Sequence, residues 1–161
     1  GINQIDLSEE IQGTDVVRLD AVSYQSDYDI IYGFAQGVDG DVLQVSNVLS
    51  SELEFFPLVV AGNAPFANCG NGILRVIGDD LSTSSGVLAA FEDNDRLGSL
   101  SISSGSSTLI ISSSSQDTGV DQSIFYAEGH SEMITLTQLA LLQGNALDID
   151  QWHSANFSLI L

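Results

Sequence analysis

The stretch Asp27-Tyr-Asp-Ile-Ile-Tyr-Gly-Phe-Ala-Gln-Gly-Val-Asp-Gly-Asp-Val-Leu-Gln-Val-Ser46 decides how the whole chain is read. Its apolar residues are interleaved with acidic and glycine positions, which predicts two short strands joined by a tight, carboxylate-rich turn. Ile31, Phe34, Val42, Leu43 and Val45 are placed to enter a core, whereas Asp27, Asp29, Asp39 and Asp41 fall where the chain bends. Such bends suit a hard cation, because Ca²⁺ takes roughly six to eight oxygens from carboxylates, backbone carbonyls and water. Gly40, between Asp39 and Asp41, lets carbonyls and side chains face one ion without a Cβ in the way. The expectation is one or two calcium sites built on these four residues, with Asp15 and Asp20 as further ligands. The competing explanation is that aspartates populate turns because they tolerate the left-handed region and form Asx-turns.

The charge balance points the same way. The chain has 22 Asp and Glu against three cationic residues, Arg18, Arg75 and Arg96, with no lysine, for a formal −19. Self-repulsion of that size destabilises a compact state unless something neutralises it, and divalent cations are the obvious agents. The same field excludes nucleic acid and anionic lipid surfaces as partners, since counterion release requires clustered Lys and Arg. The 161 residues, 43% hydrophobic, predict one domain with a real core. A single cysteine, Cys69, permits neither an intrachain disulfide nor a cysteine-based zinc cluster. No apolar run approaches the length of a membrane-spanning helix, so no membrane insertion is expected. The first residues show no charged segment followed by an apolar one, and a chain opening on Gly1 reads as a piece of a longer polypeptide.

Two segments carry a family resemblance. Gly13-Thr14-Asp15-Val16-Val17-Arg18-Leu19, followed by Asp29-x-Ile31-x-Gly33-Phe34-x-x-Gly37-x-Asp39-Gly40-Asp41-Val42-Leu43-x-Val45-Ser46, resembles the segment that closes the calcium-binding β-roll of RTX (hemolysin-type) secreted proteins. Two features depart from the family pattern. Gly33 stands where Asp or Asn is usual, and the Gly-Gly-x-Gly-x-Asp nonapeptide is absent. The resemblance covers about residues 13 to 49. Asp121-x-x-Ile124-Phe125-Tyr126, Ile134-Thr135-Leu136 and Asn156 to Leu161 resemble the tails of large secreted or surface bacterial proteins. What the resemblance implies is a calcium-binding β-roll, the type I secretion machinery as a partner, and folding outside the cell; the residue pattern nominates Asp15, Asp27, Asp29, Asp39 and Asp41 as the calcium ligands.

Downstream, short apolar segments recur between turn signals, which predicts an all-β protein. The expected arrangement is a β-roll-like part over residues 1–49, running into an antiparallel β-sandwich over 50–161 with one or two short helices. An opening strand is expected within residues 1–12. Ile73 to Ile77 reads as a buried strand, and Leu100–Ile102 with Leu109–Ile111 as a hairpin turning through Ser103 to Ser106. Residues 82–97 read as a helix capped by Ser84 or Ser85, with Val87, Leu88, Phe91 and Leu97 on one side. Turns are expected over 67–72 and 128–132.

Other chemistry finds little purchase. No Gly-x-Ser-x-Gly elbow follows a strand, and His130 and His153 sit in polar, turn-like contexts, so no catalytic residue is assigned and a non-enzymatic role is expected. Glu128, His130 and Glu132 alternate along an extended segment, a thin basis for a transition-metal site. Glu92-Asp93-Asn94-Asp95 lacks the EF-hand pattern and reads as a solvated helix end. Cys69 has no basic neighbour to activate it, and the single tryptophan, Trp152, reads as a core anchor rather than a sugar platform. The functional expectation is a calcium-stabilised C-terminal module of a secreted or cell-surface bacterial protein. An extracellular carbohydrate-binding or adhesion module, with glycans or surface proteins as partners, is the alternative, and an accessory domain of a secreted hydrolase a weaker one.

Overall fold

In the computed structural model, which describes residues 3–8, 13–21, 27–51, 54–131 and 133–161, the chain coils before it folds back on itself. The first strands are β1 (Gln4–Asp6), β2 (Val16–Asp20), β3 (Asp29–Tyr32), β4 (Val42–Ser46), β5 (Glu54–Phe55), β6 (Val59–Val60), β7 (Ala67–Asn68) and β8 (Gly72–Ile77). After helix α1 (Ser84–Phe91) come β9 (Leu100–Ser101), β10 (Ser107–Ser113), β11 (Gln122–His130), β12 (Met133–Gln143) and β13 (Phe157–Leu159). Two 3₁₀ turns, Ile149–Gln151 and Ser154–Asn156, precede β13. The fold is all-β.

β1 pairs β3 and β2 pairs β4, both parallel, with Gln4 opposite Ile30 and Val16 opposite Val42, a step of 26 residues in each sheet. β1 with β2 is therefore one turn of a coil, and β3 with β4 is the next. The far end of the chain supplies a third turn: β12 pairs β3 in parallel through Ala140 to Gln143, and β13 pairs β4 with Phe157 opposite Leu43. The strands expected on either side of the carboxylate-rich turn thus belong to different sheets of one roll. β2, β4 and β13 form a three-stranded sheet, and β1, β3 and β12 begin an eight-stranded one.

That larger sheet runs β1-β3-β12-β11-β10-β8-β5, with β6 also on β8. Antiparallel pairing among the described residues is confined to β10–β11 and β11–β12, which form the centre; the flanking ladders are parallel. The centre is buried on both faces. Ile73, Ile77, Leu109, Ile111, Ile124 and Tyr126 face the roll's interior, while Leu74, Val76, Ile110, Phe125 and Ala127 face a second core closed by α1. Double burial matches the continuous apolar run of β8, whereas β10, whose Leu109 and Ile111 between serines suggest a half-buried strand, is buried along its whole length.

Four local expectations change. β9 does not form a hairpin with β10; it pairs β7 in parallel, and β10 lies between β8 and β11. Ser106 is buried and its hydroxyl donates to the Ser103 carbonyl at 2.7 Å, so the serine run makes a local turn whose two sides belong to different sheets. The turn expected over 67–72 contains β7, and β11 continues through Gly129 to His130 before the chain reverses. Helix α1 ends at Phe91, and Thr83 rather than a serine caps it, accepting the Gly86 N–H at 3.1 Å. Gly86 is required there: a Cβ would lie 1.7 Å from the Asp80 carbonyl oxygen.

Candidate metal-binding edges of the roll

The 26-residue step stacks polar residues of the first turn on those of the second. Asn3 donates through Nδ2 to Asp29 at 2.9 Å, and Ser46 Oγ donates to Asp20 at 3.1 Å. Between these pairs Asp15 and Asp41 stand at equivalent positions, each just before its strand, and the Asp15 N–H donates to Asp41 Oδ1 at 2.9 Å. The other oxygen, Asp41 Oδ2, accepts the Ala35 N–H at 2.8 Å, and the whole residue is 0% exposed. Burying a carboxylate is costly unless its oxygens are hydrogen-bonded, and Asp41 meets that condition entirely with backbone donors.

The third turn has Ala155 in the position corresponding to Asp41, and the tie passes to Asn156 beside it. The Asn156 carboxamide uses every donor and acceptor it has within the fold. Nδ2 donates to the carbonyls of Gly37 (3.0 Å) and Asp41 (2.9 Å), while Oδ1 accepts the N–H groups of Gly37 (3.0 Å) and His153 (2.9 Å). Gln36 adds to the tie by accepting the Asp148 N–H at 2.9 Å.

The five aspartates nominated as calcium ligands are divided by this arrangement. Asp27 and Asp29 lie at the start of β3, Asp27 exposed and Asp29 half-buried. Asp39 and Asp41 lie in the turn beyond the other end of β3, with Asp15 on the same edge. Asp39 is exposed and Asp15 half-buried. Among the described residues no three His, Cys, Asp or Glu side chains converge as a metal would require. The five do not fit one closed Ca²⁺ polyhedron. They fall into two sets at opposite edges of the roll, Asp27 with Asp29 and Asp15 with Asp39.

The second turn is shaped around its neighbours. Gly33 adopts φ +74, and a Cβ there would lie 2.4 Å from Ser8 Oγ and 2.9 Å from the Ser8 backbone nitrogen. This contact accounts for glycine at the position where the resemblance anticipates Asp or Asn.

No family model, curated protein or solved structure matches this chain. The 26-residue repeat was available in the sequence as Asp15-Val16-Val17-Arg18-Leu19 against Asp41-Val42-Leu43-Gln44-Val45, and it is the signal that identifies Asp15 and Asp41 as partners. Asn156 and Gln36 had no comparable local signal.

The remaining candidates are occupied in the fold. Trp152 is 4% exposed, its ring centroid 5.3 Å from Phe34 and 5.1 Å from Phe157, and its indole N–H donates to Gln122 at 2.6 Å. It is a core anchor, as expected. Cys69 is buried, and desolvation, reinforced by Glu54, pushes its thiol up to about 11. Glu128 accepts the Tyr126 hydroxyl at 2.8 Å and lies 3.9 Å from His130, while Glu132 falls outside the described residues. Glu92 to Asp95 are exposed after α1. Arg75 and Arg96 direct guanidinium N–H groups to backbone carbonyls, Arg75 to Ile149 at 3.1 Å and Arg96 to Asp79.

Proposed function

We propose that this chain is a non-enzymatic, Ca²⁺-stabilised module from the C-terminal part of a larger RTX-type bacterial protein, exported by type I secretion machinery and working outside the cell or on its surface. The observation that carries this reading is the parallel two-sheet roll, whose 26-residue step brings Asp15 beside Asp41 and Asn3 beside Asp29 on a lysine-free chain of net charge −19. Asp41 and Asn156 tie the turns together, and ions act at the carboxylates of Asp15, Asp27, Asp29 and Asp39. A ligand held only by the folded state stabilises it by RT ln(1 + [L]/Kd), about 2.7 kcal/mol per site when free calcium is about a hundredfold above Kd. Where calcium is scarce the chain repels itself and stays open; where it is abundant the roll closes.

Differential scanning calorimetry in millimolar CaCl₂, in EDTA and in MgCl₂ at matched ionic strength tests the proposal. The midpoint should rise in calcium well beyond the rise in magnesium. Equal midpoints in calcium and chelator would sink it.

An extracellular carbohydrate-binding role is the second reading. Trp152 lies in the core, and the observation favouring this role is Tyr32, 49% exposed on the outer face of β3.

A further inference from the structure

The register of the roll places three outward side chains in a row. Asp6 of β1 lies opposite Tyr32 of β3, and Tyr32 lies opposite Gln143 of β12. Neighbouring strands are spaced by about 4.8 Å, so an aromatic ring is flanked on one side by a carboxylate and on the other by a carboxamide. Gln4 and Ile30 form the next row of the same face. Together with Ile5, these residues line an open recess of about 550 Å³.

We propose that this recess is a saccharide-binding site for a neutral or amino-bearing oligosaccharide. It rests on the carbohydrate-binding reading above and does not require calcium. The Tyr32 ring offers an apolar platform for the C–H face of a pyranose and a polar tip at its rim. Asp6 accepts hydrogen bonds from sugar hydroxyls, and Gln4 and Gln143 can each donate and accept, the mixture that alternating hydroxyls on a ring demand. The Asp6 carboxyl is held below its usual range, chiefly by the Ser8 N–H donating to it at 2.9 Å. Gln143 also donates to Asp121 at 3.2 Å, which holds its amide in place beside the ring. A few polar groups around an apolar floor, in a recess of a few hundred cubic ångströms, match the usual form of a small-ligand site. The chain's charge of −19 sets the selectivity, because sulfated or carboxylated sugars would be repelled.

The experiment is isothermal titration of the full chain in CaCl₂ with cellotriose, chitotriose, a chitosan trimer and a sulfated trisaccharide. At least one neutral or amino-bearing trimer should bind, and the sulfated one should not. Tyr32→Ala should weaken binding at least about tenfold, Tyr32→Phe by no more than about threefold, and Asp6→Asn by several-fold, with the thermal midpoint of each variant close to that of the parent. Absence of binding by all three non-sulfated trimers at ~10 mM, or binding that ignores Tyr32→Ala, overturns the proposal. Absence of all binding fails the carbohydrate-binding reading itself, whereas binding that ignores Tyr32→Ala leaves that reading standing and fails this recess alone.

Discussion

The carboxamide of Asn156 donates to the backbone carbonyl of Asp41 at 2.9 Å, while the Asp41 carboxylate accepts the Asp15 N–H at 2.9 Å on its other side. Two residues thereby join three successive turns of the roll, and both are 0% exposed. The Asp41 side chain performs a tie of the kind a bridging ion can provide, and its acceptor capacity is directed to backbone N–H groups.

Removing either tie leaves buried or part-buried backbone groups without these partners. Asp41→Ala and Asn156→Ala should each cost about 2–4 kcal/mol, read as a lower urea midpoint with little change in slope. Asp41→Asn should be nearly as harmful, since its amide nitrogen would face an N–H donor. A loss below about 0.5 kcal/mol in both alanine variants would show that the turns are held by their apolar residues alone.

Gly33 combines a left-handed backbone with the close approach of Ser8. Gly33→Ala should therefore destabilise by more than the conformational term of about 1 kcal/mol, because the first turn must also move away. Pairing it with Ser8→Gly should recover part of the loss in the same denaturation experiment, since one of the two clashes involves the serine hydroxyl.

If calcium acts at two partial sets, each set can be removed alone. Asp27→Asn with Asp29→Asn, and Asp15→Asn with Asp39→Asn, should each reduce the calcium-dependent rise of the thermal midpoint. Each should also raise the midpoint in EDTA, because two negative charges leave a chain already at −19. A calcium response undiminished in both double variants would place the ions elsewhere.

Alkaline pH should loosen the fold through two buried acids. The Cys69 thiol is pushed from 9.0 to about 11 by desolvation and then by Glu54. The Tyr126 phenol is pushed from 10.0 to about 12 by desolvation and then by its hydrogen bond to Glu128. In each case the folded state holds its proton more tightly than the unfolded one, so the contribution is intact below pH 9 and is lost as pH rises through 9 to 12. Urea midpoints should be level up to about pH 9 and then fall, and Cys69→Ala should flatten the first part of that fall. At pH 8 the native thiol should resist a disulfide reagent that modifies it rapidly in urea.

The all-β class was legible because period-two alternation and short apolar runs report local burial, as at Val16–Asp20 and Gln122–His130. The helix near residue 84 was legible for the same local reason, and so was the burial of Trp152 and Cys69, from context and composition. The serine-rich segment misled because its serines suggest a solvent face, whereas β10 is buried on both faces, and because alternation does not name a strand's partner: β9 pairs β7.

What the amino-acid order alone determined, then, was the class of fold, the acidic character of the turns and the places where the chain bends. Tertiary structure decided which acids meet. Asp15 and Asp41 are 26 residues apart, and the third turn returns from 111 to 114 residues further along, with Leu142 opposite Ile31 and Phe157 opposite Leu43. Parallel register over such separations is set by the closing of the common core, so the same aspartates that look convergent in sequence are distributed to two edges of the roll, and the residue that ties its last turn is an asparagine near the chain's end.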